Sequence, residues 1–133
     1  MALQLSTAAR NAALDSLETT VGTAPTLEIR TGAAPANCAT ADAGTVLATL
    51  ALPSDWLATA SGGTKALSGT WQDAAADAAG TAGHFRIKAS GTCHMRGTCS
   101  ATGGGGDLTF DNAVFAVGQQ INVTGFTLTA GGA

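Results

Sequence analysis

The sequence has no tyrosine, and only 11% of its residues are charged, against about 25% in an average soluble domain. A surface so short of charge must be built largely of Thr, Ser, Ala and Gly. With a net charge of -3, copies of the chain repel one another weakly. A protein housed inside an assembly tolerates such a surface, and an alanine-rich coding bias produces one as well. The six Lys and Arg are scattered along the chain, so no basic patch is visible and nucleic-acid binding is not expected. No run reaches the ~20 apolar residues that span a bilayer, and Met1 to Leu5 lacks the basic start and apolar centre of a secretory signal. The expectation is a soluble, unexported protein with no membrane partner.

Catalytic constellations are missing as well. No nucleophile stands with a base, and the Gly103 to Gly106 run is followed neither by GK[ST] nor by a helix, so it reads as a flexible loop and not as a phosphate cradle. His84 and His94 have no sequence partner to orient them as general bases and read as solvated strand histidines. A metal site from His84, Cys93, His94 and Cys99 matches neither CxxC nor zinc-ribbon spacing. The expectation is a non-enzymatic protein without cofactor or metal.

What is present is period-two alternation. At 133 residues the chain is one domain, 1–133, able to bury a core without staples. Residues 1–22 hold a short amphipathic helix: Ser6 or Thr7 caps it, Leu14, Leu17 and Val21 line its inner side, Asp15 and Glu18 its outer side, and Gly22 ends it. So short a helix must dock on the sheet or on a neighbouring molecule. Thr26 to Thr31 and Thr45 to Leu52 read as strands, the second with Val46, Ala48, Leu50 and Leu52 on one face. Gly32 to Gly44 reads as a loop. Trp56 and Leu57 open a segment that turns at Ser61-Gly62-Gly63 and returns to Leu67, and Trp71 to Ala79 reads as a strand.

In the second half, Phe85 and Ile87 point inward while His84, Arg86 and Lys88 point outward, and Ser90-Gly91-Thr92 marks a hairpin turn. The returning strand puts Cys93, Met95 and Cys99 on one face and His94 and Arg96 on the other. Asp107 to Phe110 and Ile121 to Leu128 complete about eight strands, and no helices alternate with them. The fold class is mainly β, an antiparallel β-sandwich or jelly roll with a short N-terminal α-helix.

The three cysteines are disulfide candidates. Cys93 and Cys99 in one extended strand lie about 20 Å apart, too far to bond. Either can pair with Cys38, which leaves one thiol for an intermolecular link, or all three stay reduced. Trp56 and Trp71 are core fillers, interface anchors or platforms for a sugar ring; with Leu14 and Leu17 they are the interface candidates. Asn122-Val123-Thr124 matches a glycosylation acceptor, which means little without export.

Three stretches carry a family resemblance. Ala9-Arg10-Asn11-Ala12-Ala13-Leu14-Asp15-Ser16-Leu17 with Leu27-Glu28-Ile29-Arg30-Thr31-Gly32, then Thr45-Val46-Leu47-Ala48-Thr49-Leu50, then Gly83-His84-Phe85-Arg86-Ile87 with Gly105-Gly106-Asp107-Leu108, Gly118, Ile121, Val123 and Phe126, resemble small virion proteins of tailed bacteriophages. The Cys93 to Cys99 segment departs from that pattern. The resemblance implies a capsid decoration or cement protein on the outer surface of the virion, partnered by the major capsid protein, by copies of itself as a homo-oligomer, or by both. A disulfide through Cys38, Cys93 or Cys99 would reinforce the shell. A neck, collar or tail component and a carbohydrate-binding module are the alternatives.

Overall fold

A computed structural model describes residues 3–132 as one helix, α1 (Thr7–Val21), and the strands β1 (Thr26–Thr31), β2 (Val46–Ala51), β3 (Thr64–Ala66), β4 (Gln72–Asp73), β5 (Gly80–Ala89), β6 (Thr92–Ala101), β7 (Leu108–Phe110), β8 (Val114–Phe115) and β9 (Ile121–Thr129). Met1 and Ala2 of the expected helical segment, and Ala133, lie outside the described residues. The strands form a curled mixed sheet in the order β2-β1-β5-β6-β7-β9-β3, with β4 on β9 and β8 on β5. The chain is therefore mainly β with one short helix.

Ser6 starts α1 by accepting the Ala9 N–H on its hydroxyl at 3.1 Å, and Gly22 ends it with φ +95° while donating to the Glu18 carbonyl. The helix is rotated relative to the expected amphipathic face. Leu14 and Val21 are buried, but Leu17 is 41% exposed, and Asp15 and Glu18 turn inward to Lys65 of β3, at 2.6 and 2.9 Å. Among the described residues Lys65 has no other counter-ion, and it draws the acidic side of the helix toward the body.

Three turns follow from residue chemistry. Gly62 and Gly63, both at positive φ, close the turn bridged by Ser61 and Thr64. Ser90 at φ 51° and Gly91 at φ 79° form a two-residue hairpin loop between β5 and β6, so Thr92 already belongs to β6. Trp71 to Ala79 is a strand only at Gln72–Asp73. Asp73 breaks it, because its carboxylate accepts the Ala75 and Thr49 N–H groups at 3.1 Å each.

Bulges interrupt the expected alternation. Along β1 and β2, Ile29 pairs Ala48 but Arg30 pairs Val46, so Leu47 is an extra residue and both Leu47 and Ala48 are buried. Val46 consequently lies opposite Arg30, away from the Ala48 and Leu50 face where alternation placed it. Along β5 and β6, Ile87 pairs Met95 but Lys88 pairs Cys93. His94 is the extra residue there, so Cys93 shares a face with Lys88 while Met95 shares one with Ile87. The expectation of Cys93, Met95 and Cys99 on one face fails at this bulge.

The sheet is also not wholly antiparallel. β6 and β7 are parallel, with Cys99 beside Leu108 and Ala101 beside Phe110. Parallel neighbours ordinarily need a long crossover, but this pair is three residues long, so the chain need return only a short distance. The Gly103 to Gly106 run makes that return tightly. A Cβ on Gly106 would lie 2.7 Å from the Ser100 nitrogen, and Gly103 and Gly105 have φ +87° and +84°. The return is close against β6 at Gly104 and Gly106, while Gly103 to Gly105 are exposed as a loop should be.

The inner face holds one core. Trp56, Trp71, Phe85, Phe110, Leu27, Ile29, Ile87 and Leu108 are all fully buried. Phe85 of β5 meets Phe126 of β9 edge-on at 5.7 Å, and Trp71 meets Phe126 at 5.3 Å, so strands three places apart in the sheet order face each other across aromatic contacts.

Candidate functional site

The outer face of β1, β5 and β6 carries most of the chemistry. Glu28 and Arg30 alternate on β1, His84, Arg86 and Lys88 on β5, and register places Arg96 of β6 beside Arg86. Four of the six basic residues thus gather on one face, which their scatter in the sequence hid. Arg30 and Arg86 are not presented to solvent as expected, whereas Arg96 stays exposed. The 32–44 loop folds across them, leaving Arg30, His84 and Arg86 buried.

Asp42 is the centre of this contact. Its carboxylate lies 2.6 Å from Lys88 Nζ, 3.0 Å from Arg86 Nη1 and 3.2 Å from Arg30 Nη2. Glu28 adds contacts of 2.9 Å to Arg30 and 3.1 Å to Lys88. Loop carbonyls take further donors: Arg86 donates to Asn37 and Thr40, and Arg96 to Ala36 at 2.7 Å, while the Arg86 Nε has no partner. The Lys88 hydrogen bond, helped by the nearby cations, holds the Asp42 carboxyl below its usual range. Burial works to lower the Lys88 pKa, but the bonds to Asp42 and Glu28 outweigh it and the net shift is upward.

A covalent tie completes the clamp. Cys38 in the loop is bonded to Cys93 on β6, with Cα atoms 5.3 Å apart. The bulge at His94 makes this bond possible by turning Cys93 to the loop side. Cys99 is the cysteine left over, and it is buried. Burial pushes its pKa up to about 12, so it is a core thiol and no ready source of an intermolecular link.

The remaining expected site residues separate. Trp56, Trp71 and Leu14 lie inside the chain's own core, which corrects their assignment as interface residues. Both indole N–H groups are bonded at home: Trp56 donates to the Gly22 carbonyl at 3.0 Å, and Trp71 to the Trp56 and Ser68 carbonyls at 3.1 Å. Neither offers a ring face to a sugar. Leu17 stays at the surface. His84 is buried, not solvated; its Nδ1 is 2.9 Å from the Gly32 carbonyl oxygen, while its Nε2 has no hydrogen-bond partner. His94 is exposed. With Cys93 in a disulfide and Cys99 in the core, the four residues of the possible metal site do not converge.

A second feature lies where the curled sheet is incomplete. β7 bridges β6 and β9 only through Cys99–Ala101 and Val123–Phe126. Beyond Leu108, the unpaired parts of β6 and β9 face each other across a groove of about 620 Å³, lined by Leu17, Phe85, Met95, Arg96, Phe126 and Thr127 among others.

Sequence reading missed Asp42 and Lys65, the counter-ion centres of the two charged clusters. A usable signal existed for the first: four charged residues at alternate positions of β1 and β5 are too many for an exposed face of so uncharged a chain. Comparison with known protein families, curated proteins and solved structures finds no match to this chain.

Proposed function

We propose that the chain is a non-enzymatic structural protein of a tailed-bacteriophage virion, and that it decorates the outer capsid surface and cements joints between capsomers. The observation that carries this reading is the disposition of charge. Arg30, Lys65, Arg86 and Lys88, four of the six basic side chains, are engaged in ion pairs within the chain. The surface left for contact is therefore mainly small, neutral Thr, Ser, Ala and Gly. Such a surface can be buried against the major capsid protein with little cost for desolvating charge. We read the curled sheet as a sandwich of the jelly-roll kind, its halves β2-β1-β5-β6 and β7-β9-β3 meeting at Phe85 and Phe126.

In this reading the Cys38–Cys93 bond reinforces each subunit from within and does not join subunits. A chain translated in a reducing cytosol would close it after release. Quantitative mass spectrometry of purified virions tests the proposal, by scaling this chain against the major shell protein. A ratio near that of the shell protein is expected. A ratio of a few per cent would move the protein to the neck, collar or tail, and absence from particles would overturn the virion reading.

A further inference from the structure

The groove beside β7 has the form of a missing strand. The Thr98 N–H donates to the Asp107 carboxylate at 3.0 Å, on the side of β6 away from β5. Backbone alternation turns the N–H and C=O of Arg96 to that same side. Across the groove, the Phe126 carbonyl accepts the Leu67 N–H and the Ala130 N–H donates to the Gly63 carbonyl, so these even-numbered residues face β3. The backbone groups of Thr127 and Thr129 consequently face the groove. Two open ladders thus look toward each other, and one inserted strand would satisfy both.

We propose that this groove is a docking slot for one extended strand, and that its occupant is the Leu3–Ser6 arm of a second copy of the chain. The slot asks for a short segment with apolar residues at every second position and polar ones between, because Phe85, Met95 and Phe126 line it together with Arg96 and Asp107. Leu3-Gln4-Leu5-Ser6 has that pattern. Leu3 is 62% and Leu5 40% exposed, so in its own chain the arm leaves its leucines in solvent. Leu17, 41% exposed, lies on the groove wall and would be covered by the same insertion.

Position supports exchange between copies. The Leu5 N–H donates to the Gly132 carbonyl at 2.7 Å, which places the root of the arm just past the end of β9, at the groove's own end. Two copies meeting at these ends can each give an arm and receive one, a closed and self-complementary arrangement. Arm exchange needs no capsid, so it stands or falls separately from the virion reading.

The test uses the purified, oxidised full chain. Light scattering across a wide concentration range is expected to give a dimer or higher closed oligomer for the wild type. The Leu3→Asp/Leu5→Asp variant is expected to be monomeric and folded, with a melting temperature that matches the wild type only at dilutions where the wild type has dissociated. Gln4→Cys and Thr127→Cys chains, mixed under mild oxidation, should form a disulfide heterodimer that neither forms alone, since Thr127 is on the exposed face to which Gln4 would turn. The native cysteines interfere little, since Cys38 and Cys93 are bonded to each other and Cys99 is buried. A monomeric wild type, or an oligomer unaffected by the arm variant, would overturn arm exchange. So would an intrachain bond in the Gln4→Cys/Thr127→Cys double variant without a heterodimer on mixing, which would mean that the arm fills its own groove. A monomer that binds a foreign strand peptide in the groove would also overturn it, by assigning the slot to another protein.

Discussion

The carboxylate of Asp15 on α1 lies 2.6 Å from the ammonium of Lys65 on β3, and the Lys65 side chain is only 2% exposed. The helix is therefore docked by a buried cation as well as by Leu14 and Val21. The same carboxylate accepts the Ala60 N–H at 3.0 Å, which ties the 54–60 segment to the helix. Removing the anions and removing the cation should have unequal effects. Asp15→Asn/Glu18→Gln leaves the ammonium buried without a counter-ion, whereas Lys65→Met leaves two carboxylates at the surface that water can reach. Thermal melts are expected to rank wild type first, Lys65→Met next and the double variant last. The reverse order of the two variants would show that Lys65 is not buried.

The disulfide closes a separation of 55 residues, for which chain entropy gives about 4 kcal/mol of stabilisation. Cys38→Ser/Cys93→Ser should lower the urea midpoint by an amount equivalent to roughly 2–4 kcal/mol, the native-state ion pairs being retained. Limited trypsin digestion provides an independent check. Cleavage after Arg30 or Arg86 should be faster in the variant, because those sites lie under the loop that the bond holds down.

Asp42 makes the clamp acid-sensitive. Its folded pKa is depressed, chiefly by the Lys88 hydrogen bond, so its contribution is full above the ordinary aspartate value of about 3.9 and is lost as pH falls through the depressed value. Lys88 has a raised pKa, so its contribution is full below the ordinary lysine value of about 10.4 and fades as pH rises through the raised one. Stability should thus be flat near neutrality and fall at both extremes. In Asp42→Asn, the acid limb should be shallower than in the wild type, and the neutral plateau lower. Denaturant midpoints measured across pH would reveal both effects.

Cys99, with its pKa pushed up to about 12, should resist an exposed-thiol reagent in the native state. Titration with a chromogenic disulfide is expected to give no rapid reaction natively and one thiol per chain after unfolding without reductant. Two or three rapidly reacting thiols would mean that Cys38 and Cys93 are not bonded.

Gly83 of β5 and Gly91 of the hairpin loop that follows it should respond differently to an added methyl group. At Gly83 a Cβ would strike the Gly32 backbone, whereas at Gly91, φ +79°, it meets open space. Gly91→Ala should cost about 1 kcal/mol for its left-handed backbone. Gly83→Ala should cost more, roughly 1–3 kcal/mol or above, since backbone must move. Paired urea titrations decide the ranking.

Alternation and turn chemistry made much of the fold legible. β1 coincides with the expected Thr26 to Thr31, α1 has the expected caps, and the hairpin at Ser90-Gly91 is where glycine put it. Bulges were not legible, because one extra residue such as Leu47 or His94 leaves no mark on composition but changes which residues share a face. Non-local charge was hidden for a related reason. Nothing near Asp42 in sequence announces that it would meet Arg86, and nothing near Lys65 names Asp15. The interface role assigned to Trp56 and Trp71 failed because each found a backbone carbonyl for its indole N–H inside the core. The parallel β6–β7 pair escaped notice because its return is too short to resemble a crossover.

The placement of β9 also governs when the protein can fold. It is the last strand in sequence, yet it pairs with β3, β4 and β7 and contributes Ile121 and Phe126 to the core. A ribosome-bound chain halted before Ile121 can form the Ser90-Gly91 hairpin and lay β1 and β2 against it, but it leaves Trp71 and Phe85 without Phe126. Closure waits for the last strand. Refolding of the complete chain should accordingly be slow, in the millisecond-to-second range typical of sheets dominated by distant pairings.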